Sequence, residues 1–300
     1  MVLDRVNNED ERPQHVDFVR MQRPSMFIDA NLPFQGELPT VESILRLIEL
    51  GYAGVSINQI LRNSQLTTSS PAIPKKKKTK PDLVSIESLR LCDKVAAVIN
   101  RVKKLTALSP NKQFLISRRI TFETHKDLPA NFLAEARDNF DVVAMMPLTE
   151  SVFKQCCSTW NIDIISLDLS ERLSFSLKKE SVLEAVNRGI YFEIQYSFLF
   201  KDSTARRNTI LNANALLKLC KAKNIIISSG STELFLLRNP YDVANLGSLF
   251  EMKLEDGLFS LSKNPQKLIG QKKRTTHYYD RVTAPAKCID LEIIDLPPLE

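Results

Sequence analysis

The feature that most constrains this chain is a regular alternation in its second half. Short apolar runs at residues 114–122, 142–146, 162–169, 190–196 and 224–228 are each followed by a segment of helical period, at 131–139, 152–160, 182–188, 204–221 and 241–250. The runs are rich in Ile and Val and apolar on both faces, as strands of a covered parallel sheet are. A β-α-β unit precedes them. Residues 26–30 read as a strand, Val41, Ile44, Leu45, Ile48 and Leu50 recur at helical spacing before Gly51 stops the helix, and residues 52–61 read as a second strand. That makes seven strands. Repetition this regular favours a closed, TIM-barrel-like parallel α/β barrel over an open doubly wound sheet.

Composition sets the boundaries around this core. Residues 1–25 are polar and charged and read as a loose extension. The barrel domain is expected at 26–275, interrupted at 62–82 by a Ser-, Thr-, Pro- and Lys-rich insertion with no hydrophobic period. A helix is expected from 86 to 105, with Leu89, Cys92, Val95, Ala96 and Ile99 on one face. Residues 276–300 form an acidic tail, in which the last thirteen residues carry four acids and no Lys or Arg. The N-terminus is too charged for a signal peptide, and no apolar run of about 18 residues exists, so no membrane contact is expected.

Several chemistries lack their residues. With eight glycines and neither GxGxxG nor GxxxxGK[ST], no dinucleotide or P-loop site is supported, and GxSxG is absent too. Five cysteines without CxxC spacing read as buried free thiols, and His15, His125 and His277 lie apart from any cysteine cluster, so no zinc site is expected. Asp29, Asp168 and Glu193 are the residues that would form a magnesium-binding carboxylate cluster. The plainer reading is inward carboxylates paired with arginine, such as Arg118 with Glu193.

The chemistry that is present is basic. The net charge is +6. Lys201-Asp202-Ser203-Thr204-Ala205-Arg206-Arg207 opens a helix after a strand. Asp202 or Ser203 caps it, while Arg206 and Arg207 run against the helix dipole at ~0.3–1 kcal/mol each. Free backbone N–H groups there, with Lys201, Arg206 and Arg207, suit a phosphate. The alternative is that Asp202 and Glu193 neutralise the arginines. Lys75, Lys76, Lys77 and Lys78 read as a nuclear localisation signal, an RNA-backbone contact or a solvated loop. Arg118-Arg119, Arg172, Lys178 and Lys179 add further points, as does the cluster Lys272-Lys273-Arg274. Loops after barrel strands share one face. The insertion lysines, Arg172, Lys178, Lys179, Lys201, Arg206 and Arg207 all fall on such loops, the one-sided footprint expected for nucleic acid.

Five ordered blocks carry a resemblance. They are Phe140-Asp141-Val142-Val143-Ala144; Asn187-Arg188-Gly189-Ile190 with Phe192-Glu193; Lys201-Asp202-Ser203-Thr204 with Arg206-Arg207; Asn224-Ile225-Ile226-Ile227-Ser228-Ser229; and Pro240-Tyr241-Asp242-Val243-Ala244-Asn245-Leu246. Together they resemble the ribonuclease P/MRP thirty-kilodalton protein subunit family, dense from Phe140 onward and thin between Ile60 and Leu115. The resemblance implies a barrel related to polymerase-and-histidinol-phosphatase (PHP) phosphoesterases, in a subunit that is not catalytic by itself. The complex it implies removes the 5′ leader of precursor tRNA, with catalysis carried by its RNA. The related ribonuclease MRP, which acts on rRNA precursors, would share the subunit. Implied partners are the ribonuclease P RNA, precursor tRNA and other ribonuclease P/MRP protein subunits, among them a small ferredoxin-like one. The chain itself would bind no cofactor or metal, the RNA-based activity would need magnesium, and the location would be the nucleus, with the nucleolus within it. The alternatives are a stand-alone metal-dependent barrel phosphoesterase and a protein-interaction scaffold without RNA contact.

Two departures qualify the resemblance. The PHP metal pattern needs histidines after the first strand, where Asn31 and Pro33 stand here. Some members end in a basic tail, and this chain ends in an acidic one.

Overall fold

The computed structural model describes residues 26–62, 91–106, 112–270 and 293–296. Strand β1 (Ile28–Pro33), helix α1 (Glu37–Glu49) and strand β2 (Gly54–Arg62) form the first β-α-β unit. Helix α2 (Leu91–Thr106) leads to the long strand β3 (Lys112–Thr124). The repeat then runs α3 (Ala130–Asn139), β4 (Val142–Pro147), α4 (Glu150–Ser158), β5 (Ile164–Ser166), α5 (Lys179–Asn187), β6 (Tyr191–Gln195), α6 (Ser203–Cys220) and β7 (Ile225–Ser228). Helices α7 (Pro240–Leu246) and α8 (Leu254–Leu261) follow. The seven strands pair in parallel, in the order β1-β2-β3-β4-β5-β6-β7. The expected α/β barrel is the observed fold.

Local signals place the helix ends. Gly51, at φ 93°, takes the left-handed conformation after α1 that other residues disfavour. Thr149 and Asn239 cap α4 and α7 by accepting the Val152 and Tyr241 N–H groups, and Pro240 sits where its missing N–H costs nothing.

Alternate strand residues face inward, because the side-chain period of a strand is two. The lower inward layer is apolar. Ile28, Ala30, Val142, Ala144, Ile164, Tyr191 and Ile226 pack with Leu268 and Ile269 of the helical segment 263–270, which plugs the N-terminal end of the barrel. The larger core lies between strands and helices and holds Phe114, Phe122, Phe140, Phe153, Phe192 and Phe250, all essentially fully buried. Each such side chain contributes about 1.5–3 kcal/mol.

Hydrogen bonds from flanking segments bridge the seam between β1 and β7 at both ends. At the bottom, Asn264 and Gln266 donate to the Ile225 and Met26 carbonyls, at 2.7 and 2.6 Å. At the top, the Gly230 N–H and the Ser229 hydroxyl both donate to the Asn31 carbonyl.

Some expectations change. On α2, Ala96 is exposed, and Val98 and Val102 share the buried face with Val95 and Ile99. The strand expected at 162–169 spans only Ile164–Ser166, and the helix expected at 241–250 ends at Leu246, with a 3-10 turn at Gly247–Phe250. Helix α8 was not anticipated. Its Gly257 lies so close to α7 that a Cβ would sit 2.8 Å from the Ala244 carbonyl oxygen. Within the segment read as an acidic tail, Ile293–Leu296 forms β8, antiparallel to Lys112–Leu115. The N-terminal extension, residues 63–82 of the insertion and Lys272 to Arg274 lie outside the described residues.

Candidate functional site

The upper part of the barrel interior is polar. Two residues further along β5, β6 and β7 from the apolar layer stand Ser166, Glu193 and Ser228, and from β3 Arg119 reaches across to them. Arg119 Nη1 and Nη2 donate to the two Glu193 carboxylate oxygens at 2.6 and 2.7 Å, with both side chains fully buried. Nη1 also donates to the Ala30 carbonyl at 2.8 Å, and Nε to Thr121 Oγ1 at 3.2 Å. Thr121 donates to Asn58 Oδ1, Asn58 donates to Asn31 Oδ1, and Ser228 donates to Glu193 Oε1 at 2.7 Å. Burial by itself pushes the Glu193 carboxyl up, but the Arg119 charge and the hydrogen bonds outweigh it and hold the group below the usual carboxylate range.

This corrects the expected partner of Glu193, which is Arg119 and not Arg118. Arg118 lies on the opposite face of β3, where its N–H and Nε meet Asp141 Oδ2 at 2.7 and 3.5 Å. The pattern of β3 contained the signal. Phe114, Ile116, Ile120 and Phe122 share the parity of Arg118, whereas Ser117 and Thr121 share that of Arg119.

The carboxylate cluster of Asp29, Asp168 and Glu193 does not assemble. Asp168 is exposed and accepts from the Ser170 N–H and hydroxyl. Asp29 sits at the seam, where its Oδ1 accepts from the Asn31 and Ser229 N–H groups at 3.1 and 3.0 Å. Its Oδ2 and the buried Tyr52 hydroxyl have no hydrogen-bond partner among the described residues. Burial raises the Asp29 carboxyl to about 6, against the opposing effect of the Ser229 and Asn31 hydrogen bonds. Among the described residues no three His, Cys, Asp or Glu side chains come together to hold a metal ion. The Glu193 oxygens that a PHP-type metal centre would need are occupied by the Arg119 guanidinium, so the residues present do not fit one.

The basic residues sit on the rim. Asp202 caps α6 by accepting the Thr204 and Ala205 N–H groups, both at 2.8 Å, so those donors are not free for a phosphate as expected. Lys201, Arg206 and Arg207 are exposed, and Arg206 Nε is anchored on the Leu199 carbonyl at 2.7 Å. Arg172 is exposed on the loop after β5. That loop is tied to α6, because Asn208 donates to the Ser170 carbonyl and Asn212 to those of Leu169 and Glu171. Arg172 and Arg207 are thus carried by segments bonded directly to each other.

Lys178 is different. Its Nζ lies 2.9 Å from Glu150 Oε1, which Lys154 also approaches at 3.2 Å. Those hydrogen bonds from Lys178 and Lys154 lower the exposed Glu150 carboxyl. Lys179 is exposed at the start of α5. Arg118, packed against Asp141, is no part of this rim. Lys75, Lys76, Lys77 and Lys78 lie outside the described residues. The sequence reading overlooked Arg238, which stacks its guanidinium 4.8 Å from the Phe200 ring centre and so holds the turn before Lys201 against the loop before α7. Cys156, Cys157 and Cys220 are buried free thiols; burial pushes Cys157 up to about 12 and Cys156 well above its ordinary value. Among the described residues no helix is long and apolar enough to cross a membrane.

The family described as RNase P subunit p30 matches residues 26–277. The mouse ribonuclease P protein subunit p30 is 41% identical over 125 residues, which cover 42% of this chain and 47% of that protein. A ribonuclease P/MRP protein subunit of Saccharomyces cerevisiae is 28% identical over 156 residues, 49% of this chain and 53% of that protein. In these alignments the chain spans about half the length of its curated relatives. A chain from the cryo-EM structure of archaeal ribonuclease P with mature tRNA superposes with a TM-score of 0.61 at 17% identity, over 88% of this chain and 99% of that one. At that identity the superposition speaks to the fold.

Proposed function

Because the chain belongs to the RNase P subunit p30 family, we propose that it serves as a protein subunit of ribonuclease P, supporting removal of the 5′ leader from precursor tRNA without catalysing it. The match across residues 26–277 carries this reading. The interior agrees with it, since the position where a barrel hydrolase needs an open, reactive centre is filled by a buried ion pair. Service to the related ribonuclease MRP, a nuclear and nucleolar location, and dependence of the RNA-based activity on magnesium belong to the same proposal.

In this reading the rim formed by Arg172, Lys179, Lys201, Arg206 and Arg207 meets RNA backbone. Exposed cations carried by two tied segments contact phosphates and register shape, not base sequence. The Asp202 cap satisfies the helix start, so the phosphate contacts come from side chains. Purification of the tagged full chain with sequencing of copurifying RNA tests the subunit role. Enrichment of the ribonuclease P RNA is expected, and its absence would overturn the proposal. Replacing Arg206 and Arg207 together with Ala is expected to weaken RNA association and steepen the magnesium dependence of a reconstituted complex. Unchanged processing at limiting magnesium would remove these residues from the interface.

A further inference from the structure

Oxygen atoms converge inside the barrel as they do around a bound cation. The Glu193 carboxylate, the Ala30 carbonyl and the Thr121 hydroxyl all point to one place, and what they hold is the Arg119 guanidinium, through four hydrogen bonds of 2.6 to 3.2 Å. The surrounding groups are themselves engaged. Thr121 donates to Asn58, Asn58 to Asn31, and Ser228 to Glu193. Below lies the apolar layer with its plug of Leu268 and Ile269. The pair also spans the barrel, since β3 and β6 are separated in the sheet by β4 and β5.

We propose that the barrel interior is a site for a planar organic cation, which the chain fills with its own Arg119 side chain. The geometry matches a guanidinium. Two parallel N–H···O bonds meet one carboxylate edge on, and two further donors find neutral oxygens in directions set by the same plane. It does not match a small divalent cation. Magnesium demands near-octahedral oxygens and keeps several waters, whereas Glu193 is here surrounded by neutral oxygens in a buried cleft, and the neighbouring carboxylate of Asp29 is turned to the Asn31 and Ser229 N–H groups. With Arg119 removed, the site should accept a guanidinium-type cation and refuse a divalent metal.

The test is chemical rescue in the full chain. Arg119→Ala removes, in effect, an ethylguanidinium. Its thermal midpoint should fall below that of the wild type and recover saturably with ethylguanidinium chloride at sub-denaturing concentration. At ten times the dissociation constant the recovery should be about 2–4 °C. Equal sodium chloride or urea should give no such recovery, manganese(II) should bind neither protein, and the wild type should show no saturable response. If Arg119→Ala does not fold alone, refolding from urea with and without ethylguanidinium reads the same property, with native near-ultraviolet dichroism returning only when the cation is present. Absence of saturable rescue in both formats overturns the proposal, as does stoichiometric manganese binding to either protein.

Discussion

Asp29→Asn isolates the electrostatic strain at the barrel seam. The carboxyl of Asp29 is raised from 3.8 to about 6 because it is fully buried and its Oδ2 has no hydrogen-bond partner among the described residues. A shift of about 2 units, at ~1.4 kcal/mol per unit, is ~3 kcal/mol of difference between the neutral and ionised forms. The direction follows from linkage. Below pH ~4 the group is protonated in both folded and unfolded chains, and its contribution is fully present. That contribution is lost as pH rises through about 6, and above it the folded chain bears the whole cost of a buried charge.

Asparagine imitates the neutral form. It keeps an Oδ1 acceptor for the Asn31 and Ser229 N–H groups, and it removes the charge that acts electrostatically on Tyr52. An imperfectly satisfied amide would take back ~1 kcal/mol. Urea unfolding followed by circular dichroism between pH 4 and 8 should therefore show the variant near parity with the wild type at pH 4 and more stable by ~2–3 kcal/mol at pH 7.5. A difference that is independent of pH, or a variant less stable than the wild type at pH 7.5, would refute the assignment of a strained, ionised Asp29.

Three further outcomes are expected. Asp202→Ala removes the cap that holds the Thr204 and Ala205 N–H groups and should lower stability by ~1 kcal/mol in the same unfolding assay, with the fold retained. Arg207→Ala should weaken RNA binding uniformly across sequences and reduce the slope of log affinity against log salt by about 1, measured by fluorescence anisotropy. Glu150→Gln releases Lys178 and Lys154 from their shared carboxylate, so RNA affinity at low salt should rise while the melting curve stays in place.

How much was legible depends on the kind of interaction. The strands and helices after Phe114 were readable because each carries its own periodicity and punctuation. Glycine ends, Asx caps and Ile-rich runs act over a few residues, and α4, α6 and β7 lie within a residue or two of where those signals put them. The weak points were elements whose order depends on distant neighbours. Strand β5 is three residues long because only Ile164 to Ser166 find partners on β4 and β6. Strand β8 sits in a segment whose composition reads as an acidic tail, and its ladder comes from β3, far away in the chain.

The basic rim divides in the same way. The presence of Arg172, Lys178, Lys201, Arg206 and Arg207 at strand-to-helix junctions was visible in the sequence. That Lys178 is tied to Glu150 while Arg172 is brought beside α6 follows from contacts made across the fold.

The sequence by itself determined the seven-strand repeat, the family, and the concentration of cations after the strands, because local periodicity and short ordered blocks survive without any knowledge of contacts. Only the tertiary structure decided between Arg118 and Arg119. A strand turns successive side chains to opposite faces, so two adjacent arginines meet two different environments. One reaches Asp141 on the outer side of the sheet, and the other is enclosed with Glu193. Closure of the barrel is what brings β3 opposite β6, and that long-range geometry placed the Arg119 guanidinium against Glu193 in the interior.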